Sequence, residues 1–250
     1  MMERLYSDLS WLWRLWGDPA TEYADHVSFI IELIQKSSKR ELRTALDLGC
    51  GGGKFIFTLK KHFEVTGLDL SPQMLALAKE LNPEVKLLHG DMRSFSIGES
   101  FDLIFVDDAL SYITSQGELA SVLKNCHSHL APDGYMVLTP DYLKEEFVQH
   151  NCQIFHSIPH QLHPGVEVTY ITNDYDPDTS DDHFESAFVY LIRENGKLRI
   201  ETDLHQLGLF DLDTWKKVLS SAGFSYDAHS YEYDGQSYLT FFCQKSLYPT

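Results

Sequence analysis

The chain has 250 residues, 43% of them hydrophobic and 23% charged, a balance that excludes a disordered or low-complexity segment. Its 37 acidic and 20 basic side chains give a formal net charge of -17, and this negative field argues against a nucleic-acid partner. The length suits one large hydrophobic core, alone or with a small appended subdomain.

Signals for membranes, secretion and zinc are missing from the sequence. No secretory segment is recognisable, and no apolar run approaches the ~20 residues that a membrane-spanning helix needs. The four cysteines are scattered, without the C-x-x-C pairs typical of zinc sites. We therefore expect reduced thiols, a cytoplasmic location and no contact with a membrane.

Helical and strand patterns alternate through the first 140 residues. An aromatic run at 11–16 (W-L-W-R-L-W) ends at a Gly-Asp-Pro break, and an amphipathic helix follows at about 22–36. Strands are predicted at 44–48, 64–69, 85–89, 101–106 and 135–139, and helices at 54–62, 71–81 and 118–130. This alternation indicates a parallel sheet with helices on both faces.

The pattern changes after Pro140. Three β-rich runs, at 166–172, 184–193 and 197–207, predict antiparallel strands, and Glu194-Asn195-Gly196 is a hairpin signal between the last two. Residues 174–182 are expected to form an acidic, mobile loop. A helix at 213–222 and strands near 224–231 and 238–244 complete the chain. We expect one α/β domain over 1–144 and 209–250, interrupted by a β-rich subdomain over 145–208 that caps the substrate.

The strongest motif is D-L-G-C-G-G-G at residues 47–53, between a predicted strand and a predicted helix. Glycine allows a sharp turn and a close approach of backbone to ligand. The spacing of Gly49, Gly51 and Gly53 differs from the G-x-G-x-x-G fingerprint of dinucleotide sites. Asp47, two residues before the first glycine, would repel a pyrophosphate and attract an amino-acid ammonium group.

Two further strand ends carry acids. Asp69 closes the second strand about 20 residues beyond the glycine motif, where an acid can accept ribose hydroxyls. Leu70 and Met74 follow it and could flank an adenine ring. Residues 90–93 (G-D-M-R) follow the third strand. Open α/β sheets bind ligands at this edge.

The D-x-G-x-G-x-G loop resembles the first motif of class I, Rossmann-like S-adenosylmethionine-dependent methyltransferases. The layout is similar to a small-molecule subgroup that includes the sugar-nucleotide N,N-dimethyltransferases: G-D-M-R, an aromatic soon after the fourth strand, a β-subdomain after the fifth strand, and a closing L-x-x-A-G-F helix at 219–224. The resemblance covers nearly the whole chain. It implies a seven-stranded, mostly parallel sheet of order 3-2-1-4-5-7-6 with an inserted antiparallel β-subdomain.

The resemblance also implies a site. S-adenosyl-L-methionine would be the co-substrate, S-adenosylhomocysteine the product, and the acceptor a small molecule methylated on N or O. The residues expected to bind the cofactor are Tyr6, Tyr23, Asp47, Gly49, Gly51, Gly53, Asp69, Leu70, Met74, Gly90, Asp91, Met92 and Asp107. Tyr112, Asp108 and His205 are the candidates for steering or deprotonating the acceptor, against plain packing or capping roles.

Several alternatives stay open from the sequence. The chain could methylate protein or tRNA, or bind S-adenosylmethionine without catalysis, and a nicotinamide-dependent dehydrogenase is disfavoured by Asp47 and Lys54. No metal is expected: Tyr142 replaces the Asn that metal-dependent catechol O-methyltransferases carry after their second acid. His156, His160 and His163 fall in a predicted loop. A homodimer is compatible with the sequence.

Overall fold

The computed structural model describes residues 3–233 and 236–246. Its α-helices are α1 (Ala24–Ser37), α2 (Lys54–Leu59), α3 (Pro72–Leu81), α4 (Gln116–His129) and α5 (Leu212–Ser221). Its strands are β1 (Thr44–Leu48), β2 (Glu64–Asp69), β3 (Lys86–His89), β4 (Phe101–Val106), β5 (Leu130–Leu138), β6 (Asn151–His156), β7 (Val166–Tyr175), β8 (His183–Glu194), β9 (Lys197–Gly208), β10 (Phe224–Tyr233) and β11 (Gln236–Lys245).

The larger sheet has seven strands in the order β3-β2-β1-β4-β5-β11-β10. Strands β1 to β5 are parallel to one another, and β11 is antiparallel to both β5 and β10. Counting only the strands of this sheet, the order is 3-2-1-4-5-7-6, so the predicted topology is confirmed. Register places Leu48 opposite both Leu68 and Val106, which brings the carboxyl ends of β1, β2 and β4 to one level.

Apolar layers cover both faces of this sheet. The strands in its middle are nearly continuous buried runs, as expected where helices lie on both sides. One layer includes Leu119 and Leu123 of α4 and Trp215 of α5, and the other includes Ile30 of α1 and Ile56 of α2. Helices α3, α4 and α5 each begin with a side-chain cap. In α3, Ser71 Oγ accepts a hydrogen bond from Met74 N. These packed layers and capped helices fix the positions of the carboxyl ends of the strands.

A second sheet, β6-β7-β8-β9, is antiparallel throughout. Asn195 and Gly196 both have positive φ, +50° and +80°, in the predicted hairpin between β8 and β9. The acidic loop predicted at 174–182 is shorter than expected: it covers 176–182, because Asp174 and Tyr175 belong to β7. Asp174 is buried and accepts a hydrogen bond from Ser186 Oγ at 2.6 Å.

The aromatic run near the N-terminus forms short 3₁₀ helices, Arg4–Tyr6 and Ser10–Leu15. Their leucines pack against the second sheet in one apolar cluster with Val168, Tyr190 and Ile192. Ser71 Oγ, at the start of α3, donates to Tyr6 O at 2.5 Å. Residues 3–16 thus join the two sheets, and we call them the N-terminal segment. Across the described residues, no helix combines the length and apolarity needed to cross a membrane.

Candidate active site

A cavity of about 760 Å³ lies at the carboxyl ends of β1, β2 and β4, within the size range of small-molecule sites. This is the edge at which open α/β sheets bind ligands. The sequence-predicted residues that line it are Tyr6, Tyr23, Asp47, Gly49, Gly51, Asp69, Leu70, Gly90, Asp91, Met92, Asp107, Asp108 and Tyr112. Trp13 and Gln206 bring the N-terminal segment and β9 to the same cavity.

The glycine loop follows β1 with backbone angles that favour glycine. Gly49, Gly51 and Gly53 have φ of +73°, +50° and +78°. A β-carbon on Gly49 would lie 2.1 Å from the β-carbon of Ala109. The loop backbone can therefore approach a ligand closely only because these positions lack side chains.

Asp47 is a buried carboxylate without a partner. The side chain is 4% exposed, and its Oδ2 makes no hydrogen bond. Burial, followed by repulsion from Asp69 and Asp108, raises the pKa of Asp47 to about 8. An unpaired carboxylate at this depth is costly unless a cation meets it.

Asp69 is tied to the loop that surrounds it. Its Oδ2 accepts from Gly51 N at 2.8 Å and its Oδ1 accepts from Ser71 N at 2.7 Å. Burial raises the pKa of Asp69 despite these bonds. Each carboxylate oxygen retains a second lone pair that can accept a ligand hydroxyl. Leu70, which is 48% exposed, leaves an apolar surface beside it on the cavity wall.

The third strand end is held by an ion pair. Arg93 binds both oxygens of Asp91, its Nη2 lying 2.6 Å from Oδ2, and this guanidinium lowers the pKa of Asp91. Gly90 and Met92 lie beside the pair on the cavity wall.

Two predicted cofactor contacts lie outside the cavity lining. Met74 is fully buried, because the first turn of α3 directs it into the core beneath the Ser71 cap. Gly53 begins α2 and packs so closely on Ala78 and Asn82 that a β-carbon would lie 2.6 Å from Asn82 Nδ2.

Three carboxyl groups gather after β4 and β5. Asp108 is exposed to the cavity, and it shares a hydrogen bond with Asp141, whose Oδ2 also accepts from Ser111 Oγ. Burial, followed by repulsion from Asp108, raises the pKa of both Asp107 and Asp141.

Asp107 faces a buried histidine. Its Oδ2 lies 3.5 Å from Nδ1 of His26. Burial lowers the pKa of His26 to about 4, so this ring is neutral at neutral pH. The carboxyl groups of this corner are thus left without a permanent positive partner in the described residues, and the corner favours a cationic ligand.

Tyr112 connects the cavity to the second sheet. Its hydroxyl lies 2.7 Å from the hydroxyl of Tyr6 and 2.8 Å from Nδ1 of His205. His205 is fully buried, and its Nε2 lies 2.9 Å from Oδ2 of Asp203. Sequence reasoning missed Asp203. The only signal was its i, i+2 spacing from His205, which places both on one face of a strand.

The histidines considered as metal ligands line a common pocket, but they are not placed as a metal-binding group. His156 ends β6 and bonds Thr169 Oγ1 at 3.0 Å, while the rings of His160 and His163 lie 5.8 Å apart. Over residues 3–233 and 236–246, no group of three or more His, Cys, Asp or Glu side chains is placed to hold a metal ion.

Comparison with known proteins finds similarity to methyltransferases. A model of the methyltransferase domain matches residues 45–134. The dTDP-3-amino-3,6-dideoxy-alpha-D-glucopyranose N,N-dimethyltransferase of Streptomyces fradiae is 27% identical over 82% of this chain and 78% of its own length. The corresponding 3-amino-3,4,6-trideoxy enzyme of Streptomyces venezuelae is 32% identical over 50% of this chain and 54% of its own.

Solved structures share the fold. DesVI of Streptomyces venezuelae superposes with a TM-score of 0.78 at 24% identity, covering 94% of this chain and 95% of its own. CalS10, an amino pentose methyltransferase from Micromonospora echinaspora, gives 0.78 at 23% identity over 94% and 96%. At such identities these likenesses establish the architecture, and the chemistry has to be argued from the cavity.

Proposed function

We propose that this chain, which is a class I S-adenosylmethionine-dependent methyltransferase resembling the sugar-nucleotide N,N-dimethyltransferases, methylates the amino nitrogen of a small acceptor. The observation that carries the choice of an amine is the carboxylate corner beside Tyr112, where Asp107, Asp108 and Asp141 meet the cavity edge. A protonated amine is the acceptor that this corner would attract.

The cavity residues fit S-adenosylmethionine. The unpartnered Asp47 would hold the ammonium of the methionine part, the backbone of Gly49 and Gly51 would contact that part, and Asp69 would accept the ribose hydroxyls. Leu70, Gly90, Asp91 and Met92 would surround the adenine, with Tyr6, Tyr23 and Asp107 towards the sulfur. When bound, the cofactor supplies a methyl carbon already activated by the sulfonium.

Residues of this chain would supply alignment. Asp108 would orient the acceptor amine, and Tyr112, with His205 behind it, would accept its proton if the amine arrives charged. The neutral nitrogen then attacks the methyl carbon in line with the breaking C–S bond.

The second sheet would cap the acceptor, as a subdomain over 145–208. Supporting this, Gln206 of β9 lines the cavity, and Tyr6 and Trp13 close it from the N-terminal segment. This enclosure favours a small acceptor over protein or tRNA, and the buried tyrosine and histidine beside the cavity favour catalysis over cofactor binding alone.

The test is a calorimetric titration with S-adenosylhomocysteine followed by a turnover assay. Wild type should bind in the micromolar range, about -8 kcal/mol, and Asp69→Ala should bind at least about 100-fold more weakly. Asp213→Ala is the control, because that carboxylate is 96% exposed on α5, and it should bind like wild type.

Turnover should then be screened with dTDP-linked 3-amino and 4-amino deoxysugars, for which three relatives are named, and with hydroxyl analogues. Methylation of an amine but not of the matched hydroxyl supports the proposal. Wild type that binds no S-adenosylhomocysteine, or that methylates only hydroxyl acceptors, contradicts it.

Two broader inferences accompany this function. Cys50, Cys126, Cys152 and Cys243 are all free thiols, which supports a reducing, cytoplasmic location. The outward face of the second sheet carries exposed aliphatic side chains, including Ile154, Ile200 and Leu204, and we infer that a second copy of the chain covers it in a homodimer.

A further inference from the structure

Asp203, on β9, is the end point of a chain of hydrogen bonds that starts at the cavity. Its Oδ2 lies 2.9 Å from Nε2 of His205 and accepts from Leu5 N at 2.9 Å, while its Oδ1 accepts from Leu204 N at 3.1 Å. The side chain is 7% exposed. A carboxylate so enclosed serves partners inside the protein.

These contacts assign the protons along the chain. An ionised carboxylate only accepts, so the hydrogen of neutral His205 lies on Nε2 and points to Asp203. Nδ1 is then an acceptor, and the Tyr112 hydroxyl donates to it at 2.8 Å. The Tyr112 oxygen keeps its lone pairs for the Tyr6 hydroxyl, 2.7 Å away, and for a ligand in the cavity.

The surroundings of the two phenols keep both of them protonated. Burial raises the pKa of both Tyr6 and Tyr112, so neither phenol ionises alone at neutral pH. Phe188 of β8 stacks on the His205 ring with centroids 4.3 Å apart, and Ser186 is its cross-strand neighbour. The charged groups that act on these hydroxyls and this imidazole are Asp203, Glu3, Asp69, Asp108 and Asp141.

We propose that Asp203 is a positioning residue that makes His205 the destination of a proton passed on by Tyr112. The inference rests on the proposed function, in that the acceptor amine arrives as an ammonium. An N–H proton of the ammonium moves to the Tyr112 oxygen while the phenol's own proton moves to Nδ1 of His205, giving an imidazolium paired with Asp203. The freed nitrogen lone pair forms the C–N bond, the C–S electron pair stays on sulfur, and the imidazolium later loses its proton to water.

Asp203 also connects this series of hydrogen bonds to the N-terminal segment. Its bond to Leu5 N is supported by Arg4, whose Nη1 lies 2.8 Å from Oε2 of Glu201. Seating of the segment and alignment of His205 therefore depend on the same carboxylate.

The decisive variant is Asp203→Asn, which keeps the size and an accepting oxygen but removes the charge. We expect S-adenosylhomocysteine affinity and acceptor KM within about threefold of wild type, and kcat lower by about 10- to 100-fold near neutral pH. The acidic limb of the kcat profile should move to lower pH, because the imidazolium has lost its counter-ion. Glu194→Gln makes the same chemical change at an exposed hairpin position and should leave kcat and the limb unchanged.

A spectroscopic readout makes the inference testable without turnover. In histidine-¹⁵N-labelled protein bound to S-adenosylhomocysteine, the His205 resonance, identified by its loss in His205→Gln, should show the Nε2–H tautomer. Its titration midpoint should fall in Asp203→Asn. An Nδ1–H tautomer in wild type, or a kcat and acidic limb unmoved in Asp203→Asn, would overturn the role of Asp203. Failure of wild type to bind S-adenosylhomocysteine would instead remove the proposed function.

Discussion

At the residue scale, the site is defined by carboxylates that are buried without permanent counter-ions. Asp47 is the clearest, since it is 4% exposed and has one oxygen with no partner. Such a group destabilises the ligand-free protein whenever it is ionised. It is explained if it is kept for a ligand ammonium.

Cofactor affinity should depend on pH through Asp47. Its pKa is raised to about 8, whereas the carboxylate that pairs with an ammonium is ionised, so binding below pH 8 must release a proton. The affinity for S-adenosylhomocysteine should rise by up to about tenfold per pH unit from pH 6 towards pH 8. Calorimetry in buffers of different ionisation enthalpy measures the released proton.

Asp47→Asn should bind more weakly and without that pH slope, and Asp213→Asn should behave as wild type. An affinity that is flat in wild type from pH 6 to pH 8 would show that Asp47 does not meet the ligand cation.

The same carboxyl affects stability. The pKa of Asp47 is about 3.9 in an unfolded chain and is raised to about 8 in the fold. The contribution of this group to the free energy of unfolding is therefore fully present below about pH 4 and is lost as the pH rises towards 8. Without ligand, Asp47→Asn should therefore be more stable than wild type at pH 8, by up to about 5 kcal/mol, with a smaller difference at pH 5. Urea unfolding at the two values measures this, and an equal difference at both would contradict it.

At the element scale, the loop between β1 and α2 works by the absence of side chains. Gly49→Ala places a β-carbon 2.1 Å from that of Ala109 at a φ of +73°. We expect a loss of about 1–3 kcal/mol in the free energy of unfolding, together with weaker S-adenosylhomocysteine binding. Gly117→Ala, in α4 with open space around the added carbon, is the matched control and should be neutral or slightly stabilising. Equal effects of the two substitutions would show that close packing at Gly49 is unimportant.

Elements whose signals are local were predictable from the sequence. A few neighbouring residues are enough to predict each of three elements: the Ser71-Pro72 start of α3, the buried run of β4 and the Asn195-Gly196 hairpin. With the strand order taken from the family resemblance, they placed the acids of β1, β2 and β4 at one edge.

Features fixed by distant contacts were not predictable. The packing of the N-terminal segment could not be predicted from its own residues, because Leu12 and Leu15 are buried in a cluster with residues of the second sheet. Asp174 belongs to an acidic stretch of sequence, but its position is fixed by a hydrogen bond from Ser186. The position of Asp203 is likewise fixed by its contacts with His205 and Leu5. A sequence pattern carries the period of a strand but not the identity of the residues across from it.

At the scale of the whole molecule, both sheets contribute residues to one cavity, and the N-terminal segment joins them. Arg4 reaches Glu201 of the second sheet, while Tyr6 reaches both Ser71 and Tyr112 of the α/β domain. A net charge of -17 surrounds this cavity with a negative field that attracts amines. In the proposed function, cofactor, acceptor and proton relay would all lie in or beside this cavity.

The outward face of the second sheet gives the last prediction. Ile154, Ile200 and Leu204 are 62%, 58% and 58% exposed. Since Leu204 and Ile200 lie opposite Ala187 and Leu191 of β8, the apolar surface continues across strands, as in an interface between copies. Light scattering after size exclusion should give twice the mass of the chain for wild type and the monomer mass for Ile200→Glu. Ser121→Glu adds the same charge to an exposed position of α4 and should leave the dimer intact. A monomeric wild type at micromolar concentration would mean that this face is covered by something other than a second copy.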